Sequence, residues 1–209
     1  MSAEQQDLAT ATTLITQLVL RERQSRDRAW WSQMAECFHE DSTVLVSWMN
    51  GSGAEFVAGS KAMTERGIRG VHRLAPPVVY VNGDRGVVEV PGVIEVRGDL
   101  GGVQGDHLAS VRFLYRVQRD DGETWLIRAL TCIYEQDSMT PAVPGTEITV
   151  DEEKFLSFRE SYRCISYALS LRGATVPDDL YGDDQPERVA ELYSDAFAWM
   201  GGKHPLSED

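Results

Sequence analysis

The chain has 209 residues, which suits one domain with an appendage, and 42% of them are hydrophobic, so it can bury a substantial core. It carries 33 acidic residues against 20 basic ones, and the resulting net charge of −13 repels phosphate backbones and anionic membrane surfaces. This balance argues against partners such as nucleic acids and membranes. It favours a neutral or weakly charged small-molecule ligand.

Cysteine usage and the N-terminal sequence predict the cellular setting. Cys37, Cys132 and Cys164 are widely spaced and odd in number, which argues against a disulfide framework and for a reducing compartment. No pair has the Cys-x-x-Cys spacing of a zinc site, and no His, Asp and Glu residues have a metal-binding spacing, so we predict no metal. Because no basic segment precedes an apolar run at the N-terminus, we also predict no signal peptide and a cytoplasmic location.

The first part of the chain combines helical and strand patterns. Apolar residues at three- and four-residue steps predict a helix over 5–24, and a second short helix over 28–38, with Asp27 at the junction. A strand pattern over 42–49 ends at a glycine-rich turn, and a third helix is predicted over 54–66.

Four further strand patterns follow, separated by glycine- and aspartate-containing segments that are typical of hairpin turns. They cover 71–81, 87–97, 106–119 and 124–135. Helices followed by an antiparallel meander indicate an α+β domain.

The pattern changes after residue 137, so we predict a first domain over 1–137 and a C-terminal helical extension over 138–209. Helical spacing predicts one helix over 151–172 and a last helix that begins near Pro186, a residue suited to a first helical turn. Both helices are amphipathic, and their apolar faces must be buried somewhere. We therefore expect the extension to act as a lid or as an oligomer contact.

Several short segments, taken in order, carry a resemblance to a known family. Residues 26–31 read Arg-Asp-Arg-Ala-Trp-Trp, residues 38–41 read Phe-His-Glu-Asp, His72 opens the next strand, and residues 121–125 read Asp-Gly-Glu-Thr-Trp. Over about residues 5–137 the chain resembles the SnoaL-like branch of the nuclear transport factor 2-like superfamily, which includes scytalone dehydratases, bile acid dehydratases and ketosteroid isomerases. The resemblance implies a strongly curved antiparallel sheet that forms a cone, the cystatin-like α+β barrel, with the N-terminal helices packed over an apolar pocket.

The resemblance further implies that Asp27 and His72 form a catalytic pair inside the cone. A neutral imidazole held in one tautomer by a carboxylate can remove and return a proton near neutral pH, and the carboxylate stabilises the imidazolium that forms. The sequence leaves two simpler interpretations open. Asp27 could cap the helix that follows it, and His72 could be a strand-end histidine in contact with water.

His107 is the third catalytic candidate. If 87–97 and 106–119 form a symmetric hairpin, His107 lies opposite Val96, and strand alternation directs it to the same face as Phe113, which we expect to line the pocket. Scytalone dehydratases carry a second catalytic histidine at about the position of Val96, so His107 could supply that group from the neighbouring strand. The alternative is a loop-edge histidine near solvent.

Eight residues are candidates for substrate binding. Arg26 could orient a phenolate, carboxylate or keto oxygen, or could instead form a surface ion pair with Glu22. Arg128 could bind a substrate oxygen, and Tyr115 could offer a hydroxyl. The other candidates are pocket-wall residues: Trp48, Phe56, Ile94, Phe113 and Leu130.

These features lead to a first hypothesis about function, a lyase that needs no cofactor. Asp27 and His72 would eliminate water from a hydroxylated aromatic or polycyclic small molecule, or formaldehyde from a lignin-type aromatic dimer. The alternatives are a ketosteroid-type isomerase or polyketide cyclase, and a non-catalytic small-molecule-binding or oxygenase-small-subunit-like protein. Members of this fold commonly form homodimers through the outer sheet face, so a homodimer or higher homo-oligomer is also expected.

Overall fold

The computed structural model describes residues 2–120 and 124–202, so the Asp-Gly-Glu segment of the 121–125 motif lies outside the described residues. None of the helices in the described ranges is long and apolar enough to cross a lipid bilayer. The elements in chain order are α1 (Ala3–Arg28), α2 (Trp31–Ala35), β1 (Phe38–Val46), β2 (Met49–Ser52), α3 (Gly53–Glu65), β3 (Gly70–Leu74), β4 (Val78–Asn82), β5 (Arg85–Asp99), β6 (Gln104–Asp120), β7 (Thr124–Pro141), α4 (Glu152–Leu156), a 3-10 turn (Glu160–Tyr162), α5 (Arg163–Ser170), β8 (Tyr181–Gly182) and α6 (Pro186–Met200).

The strands form one curled sheet that remains unclosed. Neighbouring strands follow the order β2, β1, β7, β6, β5 and β3, while β4 also pairs with β5 and β8 pairs with β7. Pairing is antiparallel except between β1 and β7 and between β7 and β8. The predicted α+β class and the curved, mainly antiparallel sheet are confirmed, and the sheet is open along its β2 and β3 edges rather than a closed barrel.

Helix α1 packs its apolar stripe of Ile15, Leu18 and Val19 into the main core. The helix begins at a capping box formed by Ser2 and Gln5 and ends at Ala29, whose φ of 60° is left-handed. It therefore runs about one turn further than the predicted 5–24. As a result, Asp27 lies within the last turn of α1 and is not an N-terminal cap.

The β5–β6 hairpin has the symmetric register that the sequence predicts, and Val96 lies opposite His107. Strand β7 pairs along the whole of β6, and Pro141 lies opposite Gly105. Because β6 starts at Gln104, its partner strand continues past the predicted strand end at 135. The predicted start of the extension at 138 consequently falls inside β7.

Two predicted elements divide into shorter ones. The 71–81 pattern is interrupted at Pro76 and Pro77, which have no backbone N–H for a ladder hydrogen bond, and it forms β3 and β4. The predicted helix over 151–172 breaks at Arg159, whose guanidinium binds the Asp184 carboxylate and the backbone carbonyls of Asp178 and Leu180. This long-range anchoring outweighs the helical periodicity, and α4 and α5 form on either side of it.

Helix α6 begins at Pro186 as predicted and covers the outer face of the sheet. Its buried residues, among them Leu192 and Phe197, form a second apolar cluster with Val87, Leu114 and Ile133. The chain's own C-terminal helix therefore occupies this part of the outer sheet face, where a homodimer contact was expected from the resemblance.

A substitution in this second cluster tests the position of α6. Replacing Leu192 with alanine is expected to lower the free energy of unfolding by about 2 kcal/mol, because a leucine side chain leaves a buried site. Urea denaturation measures the change. The matched control, Glu191→Ala, alters the exposed neighbour on the same helix and should change stability by less than about 0.5 kcal/mol. Equal effects of the two substitutions would contradict the packing of α6 on the sheet.

Candidate active site

The concave side of the sheet encloses a cavity of about 120 Å³ beneath the C-terminal extension. Helix α1 supplies Arg23 and Arg26, the loop after β1 supplies Trp48, and α3 supplies Phe56. Helix α5 and the residues after it close the opposite side of the cavity with Ile165, Ala168, Leu169 and Arg172. The wall is mostly apolar, so a ligand would leave water on entering.

His72 lines this cavity and is in contact with Asp27. His72 donates from Nδ1 to Asp27 Oδ1 at 2.5 Å, and the His72 backbone N–H donates to Asp27 Oδ2 at 2.8 Å. Both carboxylate oxygens therefore hold the same residue, and the imidazole is fixed with its proton on Nδ1. The His72 and Asp27 side chains are only 7% and 16% exposed, which excludes the water-exposed position considered for His72.

The environment keeps this pair as a neutral imidazole and an ionised carboxylate. Burial is the largest influence on His72 and lowers its pKa; the Asp27 hydrogen bond opposes this, the Arg23 charge adds to it, and the pKa stays below 6.5. Burial raises the pKa of Asp27, but its hydrogen bonds with His72 and the charge of Arg23 outweigh that effect, and the pKa lies below its usual value. At neutral pH the His72 Nε2 atom is therefore an unprotonated base.

A buried ion pair that the sequence reading missed stands beside His72. Arg23 binds the carboxylate of Glu22 through Nε and Nη2, and Tyr115 donates its hydroxyl to Glu22 Oε2 at 3.2 Å. Arg23 Nη1 lies 3.5 Å from His72 Nε2, and the guanidinium lies over the rings of Phe56 and Phe113. Arg23 thus occupies space next to His72 Nε2 and places a positive charge beside that nitrogen.

The sequence of α1 contains a signal that Arg23 and Asp27 are buried. The residues Ile15, Val19, Arg23 and Asp27 recur at steps of four, so the apolar stripe continues as a polar one on the same face of the helix. A helix that stays buried to its last turn therefore brings Arg23 and Asp27 to the core side. The sequence reading ended the helix before this turn and missed the continuation.

His107 also lines the cavity, and it has a carboxylate partner. Its Nε2 lies 3.3 Å from Asp137 Oδ2, and both side chains are almost fully buried. Asp137 accepts hydrogen bonds from the backbone N–H groups of Cys164 and Ile165 as well, at the start of α5. The Asp137 carboxylate thus joins His107 on the sheet to the helix that closes the cavity.

Five of the eight predicted substrate-binding residues line the cavity and three do not. Arg26, Trp48, Phe56, Ile94 and Phe113 line the cavity, and Trp48 stacks on Phe56 with ring centroids 5.3 Å apart. Tyr115 and Leu130 are fully buried and lie behind the cavity wall. Arg26 is also buried, which corrects the alternative of a surface ion pair with Glu22.

Arg128 lies outside the cavity, contrary to the prediction. Where β6 and β7 pair, Arg116 lies opposite Ala129 and Val117 lies opposite Ile127, so Arg128 is the extra residue of a bulge. The bulge interrupts the alternation of faces along β7 at Arg128. The Arg128 guanidinium instead contacts His39 and Asp41.

The described residues contain one cluster with metal-ligand types, His39, Glu40 and Asp41, whose ligand atoms lie within 4.8 Å of one another. Arg128 Nη1 lies 2.5 Å from His39 Nδ1, and His39 Nε2 is 2.8 Å from Asp120 Oδ2. These contacts occupy the imidazole and bring a fixed positive charge to the cluster. The cluster lies outside the cavity and takes no part in the Asp27–His72 site.

Comparisons with known proteins identify the family of this chain. A model of the family described as SnoaL-like domain matches residues 8–131. An uncharacterized protein, AN9274, from Emericella nidulans is 30% identical over 192 residues, covering 85% of this chain and 81% of that protein. Pea pathogenicity protein 2 from Fusarium vanettenii is 29% identical over 189 residues, covering 85% and 80%.

The structure of a hexachlorocyclohexane dehydrochlorinase, LinA type 2, superposes with a TM-score of 0.55 at 13% identity, covering 70% of this chain and 98% of that chain. At this level of identity the likeness shows the fold alone. The family match, which spans more than half of the chain, carries the assignment. The chain belongs to the SnoaL-like domain family.

Proposed function

We propose that this protein is an acid–base lyase that acts on a small, largely apolar molecule, with His72 Nε2 as the base. One observation carries the proposal: the 2.5 Å contact between His72 Nδ1 and Asp27 leaves the other ring nitrogen directed away from the carboxylate, at a mostly apolar cavity. This is the arrangement of a base oriented by a third group.

The proposed reaction is the elimination of water from a hydroxylated aromatic molecule. His72 Nε2 takes a proton from carbon, and the electron pair of the broken C–H bond becomes the new C=C bond. The C–O bond to the leaving hydroxyl breaks, and that oxygen receives a proton and departs as water. Asp27 stabilises the imidazolium that forms on His72.

His107 is the proposed proton donor to the leaving oxygen. It lines the same cavity as His72 but lies on β6, and Asp137 orients it through Nε2. Two histidines on different strands, each held by its own aspartate, allow one to accept a proton while the other donates one. In the narrower case, a lignin-type dimer, the benzylic hydroxyl leaves as water with a proton from His107 and a quinone methide forms. His72 then takes the proton of a neighbouring CH₂OH group, the C–C bond to that group breaks, its electron pair enters the quinone methide, and formaldehyde leaves.

Members of the superfamily support this class of reaction. The structural neighbour named as a hexachlorocyclohexane dehydrochlorinase carries in its name an elimination reaction. The family match gives the fold, and the Asp27–His72 site gives the reason to propose an enzyme of this type for the present chain.

The runner-up is a ketosteroid-type isomerase or polyketide cyclase, and Arg26 is the observation in its favour. Both reactions pass through an enolate, whose oxygen needs a positive or hydrogen-bonding group inside the pocket. The buried Arg26 guanidinium lines the cavity and offers such a group.

Product detection tests the proposed lyase and separates it from the alternatives. Aromatic molecules with a benzylic hydroxyl are incubated with the purified protein in D₂O and followed by NMR. We expect a new alkene with the native protein and none above background with His72→Gln, whereas His39→Gln, altered outside the cavity, should stay active. Carbon-bound deuterium without loss of hydroxyl would indicate the isomerase, and binding without either change would contradict catalysis.

A further inference from the structure

The charged side chains that line the cavity are all positive. Among the described residues, Arg23, Arg26 and Arg172 line it together with two histidines, and no aspartate or glutamate does. This contrasts with the net charge of −13 on the whole chain. The lining side chains therefore differ in sign from the net charge of the protein, which is a reason to ask what charge the ligand carries.

Two of these three arginines already have an acceptor. Arg23 is neutralised by the Glu22 carboxylate, which it binds with two nitrogens. Arg172 is an exposed residue, and its Nη2 donates to the carbonyl of Asp99 at 3.4 Å. Neither of them requires a ligand to complete its contacts.

Arg26 differs from both. Only 6% of the Arg26 surface is exposed, and none of the described residues forms a hydrogen bond or ion pair with its guanidinium. Arginine remains protonated in proteins, so a positive group with five N–H donors lines an apolar cavity without an acceptor. A buried charge in this state is costly unless another group supplies the missing hydrogen bonds.

Asp27 does not supply them, although it is the next residue. Both of its oxygens are held by His72, at 2.5 and 2.8 Å. The carboxylate of Glu22, one turn earlier, is held by Arg23 and Tyr115. Both acids act on Arg26 through their charge but form their hydrogen bonds with other groups, so a ligand oxygen in the cavity would supply the direct acceptor that Arg26 lacks among the described residues.

We infer that the ligand of this cavity is a compact organic monoanion, one ring in size, whose carboxylate or phenolate oxygen accepts hydrogen bonds from Arg26. The inference names the substrate class for the proposed lyase and rests on it for the identity of the site. The cavity volume of about 120 Å³ is close to the roughly 150 Å³ apolar cavity that holds benzene, which sets the size at one ring. Arg26 would fix the oxygen while the ring lies against Trp48 and Phe56.

Titration calorimetry with matched probes tests the charge of the ligand. Benzoate and benzamide have almost the same shape and differ in charge, so their affinities isolate the contribution of the anion. We expect the native protein to bind benzoate about tenfold or more tightly than benzamide, because a hydrogen bond to a charged group is worth about 1.5–3 kcal/mol. Arg26→Met, which keeps the length of the side chain, should remove this preference, and Arg26→Lys should keep part of it.

Arg21→Met is the matched control, because Arg21 is an exposed arginine on the same helix and its loss changes the net charge equally. It should leave the benzoate preference unchanged.

A second probe, 4-nitrophenol measured below and above its own pKa, distinguishes a carboxylate ligand from a phenolate ligand. Tighter binding of benzoate supports a carboxylate, and tighter binding of the nitrophenolate supports a phenolate.

Equal affinity of the native protein for benzoate and benzamide, or no binding of either anion, would overturn the inference. This comparison needs no variant, so it holds even if Arg26→Met fails to fold. His72→Ala separates the inference from the proposed reaction. If the variant keeps the benzoate preference while the native protein shows no elimination, the lyase is wrong and the anion site stands.

Discussion

Replacing His72 with alanine is expected to lower turnover about 100-fold or more, and Asp27→Asn should have an effect of similar size. The alanine variant lacks the Nε2 atom that accepts the proton. The asparagine variant keeps a side chain of the same shape, but it loses the negative charge that stabilises the imidazolium and holds the proton on Nδ1. Initial rates of the two variants, measured on the substrate found by NMR, give the change in kcat and in kcat/KM.

The pH dependence of kcat/KM gives a second expected result for the same pair. The active form of His72 is the neutral one, and its pKa is lowered below 6.5 by burial and by Arg23. Activity should therefore persist to lower pH than it would with a histidine base of ordinary pKa, and it should fall at acid pH as the imidazole gains a proton. Stability should fall in the same direction, because the unfolded chain binds protons to His72 and Asp27 more readily than the folded one.

The control for both measurements is His39→Ala, because His39 lies outside the cavity. Its activity and pH profile should match those of the native protein. Full activity of either His72→Ala or Asp27→Asn would remove the proposed mechanism. An acid limb at or above the pH at which an ordinary histidine titrates would contradict the lowered pKa of His72.

Replacing Arg23 with methionine is expected to lower the free energy of unfolding by about 3–5 kcal/mol. The Glu22 side chain is fully buried, and Arg23 is its charged partner. Removing the guanidinium leaves the Glu22 charge in the core without its ion-pair partner, and among the described residues the Tyr115 hydroxyl is then its hydrogen-bond donor. Chemical denaturation of the native protein and the variant measures the loss.

A double variant separates the charge effect from a packing effect. Glu22→Gln combined with Arg23→Met removes both charges and should recover most of the lost stability, since replacing a whole buried ion pair costs far less than breaking it. Arg21→Met, on the exposed side of α1, should stay within about 0.5 kcal/mol of the native protein. A double variant as unstable as Arg23→Met would show that the arginine acts through packing on Phe56 and Phe113 instead.

The double variant also bears on the base. Arg23 is one of the influences that lower the pKa of His72, so its removal should raise that pKa. The acid limb of the activity profile should then move to higher pH. The buried pair would thus support the fold and also adjust the proton affinity of the base next to it.

The sequence by itself determined the fold class, the order of helices and strands, and the position of His107. Hydrophobic periodicity reports local backbone geometry, and the repeat of two in a strand fixes which residues face each other once a hairpin is symmetric. Val96 opposite His107 follows from that rule alone. The proximity of Asp27 and His72 came from the resemblance to the family, because no local pattern joins two residues 45 positions apart.

Only the tertiary structure decided which polar residues surround these groups. Arg128 lies outside the cavity because of one bulge where β7 pairs with β6. The predicted helix over 151–172 is interrupted at Arg159 because that side chain binds acceptors distant in sequence. Glu22 and Asp137 are ordinary charged residues in the sequence, and packing makes them buried partners of Arg23 and His107. Burial and ion pairing depend on which surfaces meet after the chain folds, and propensity and periodicity describe only short segments before they meet.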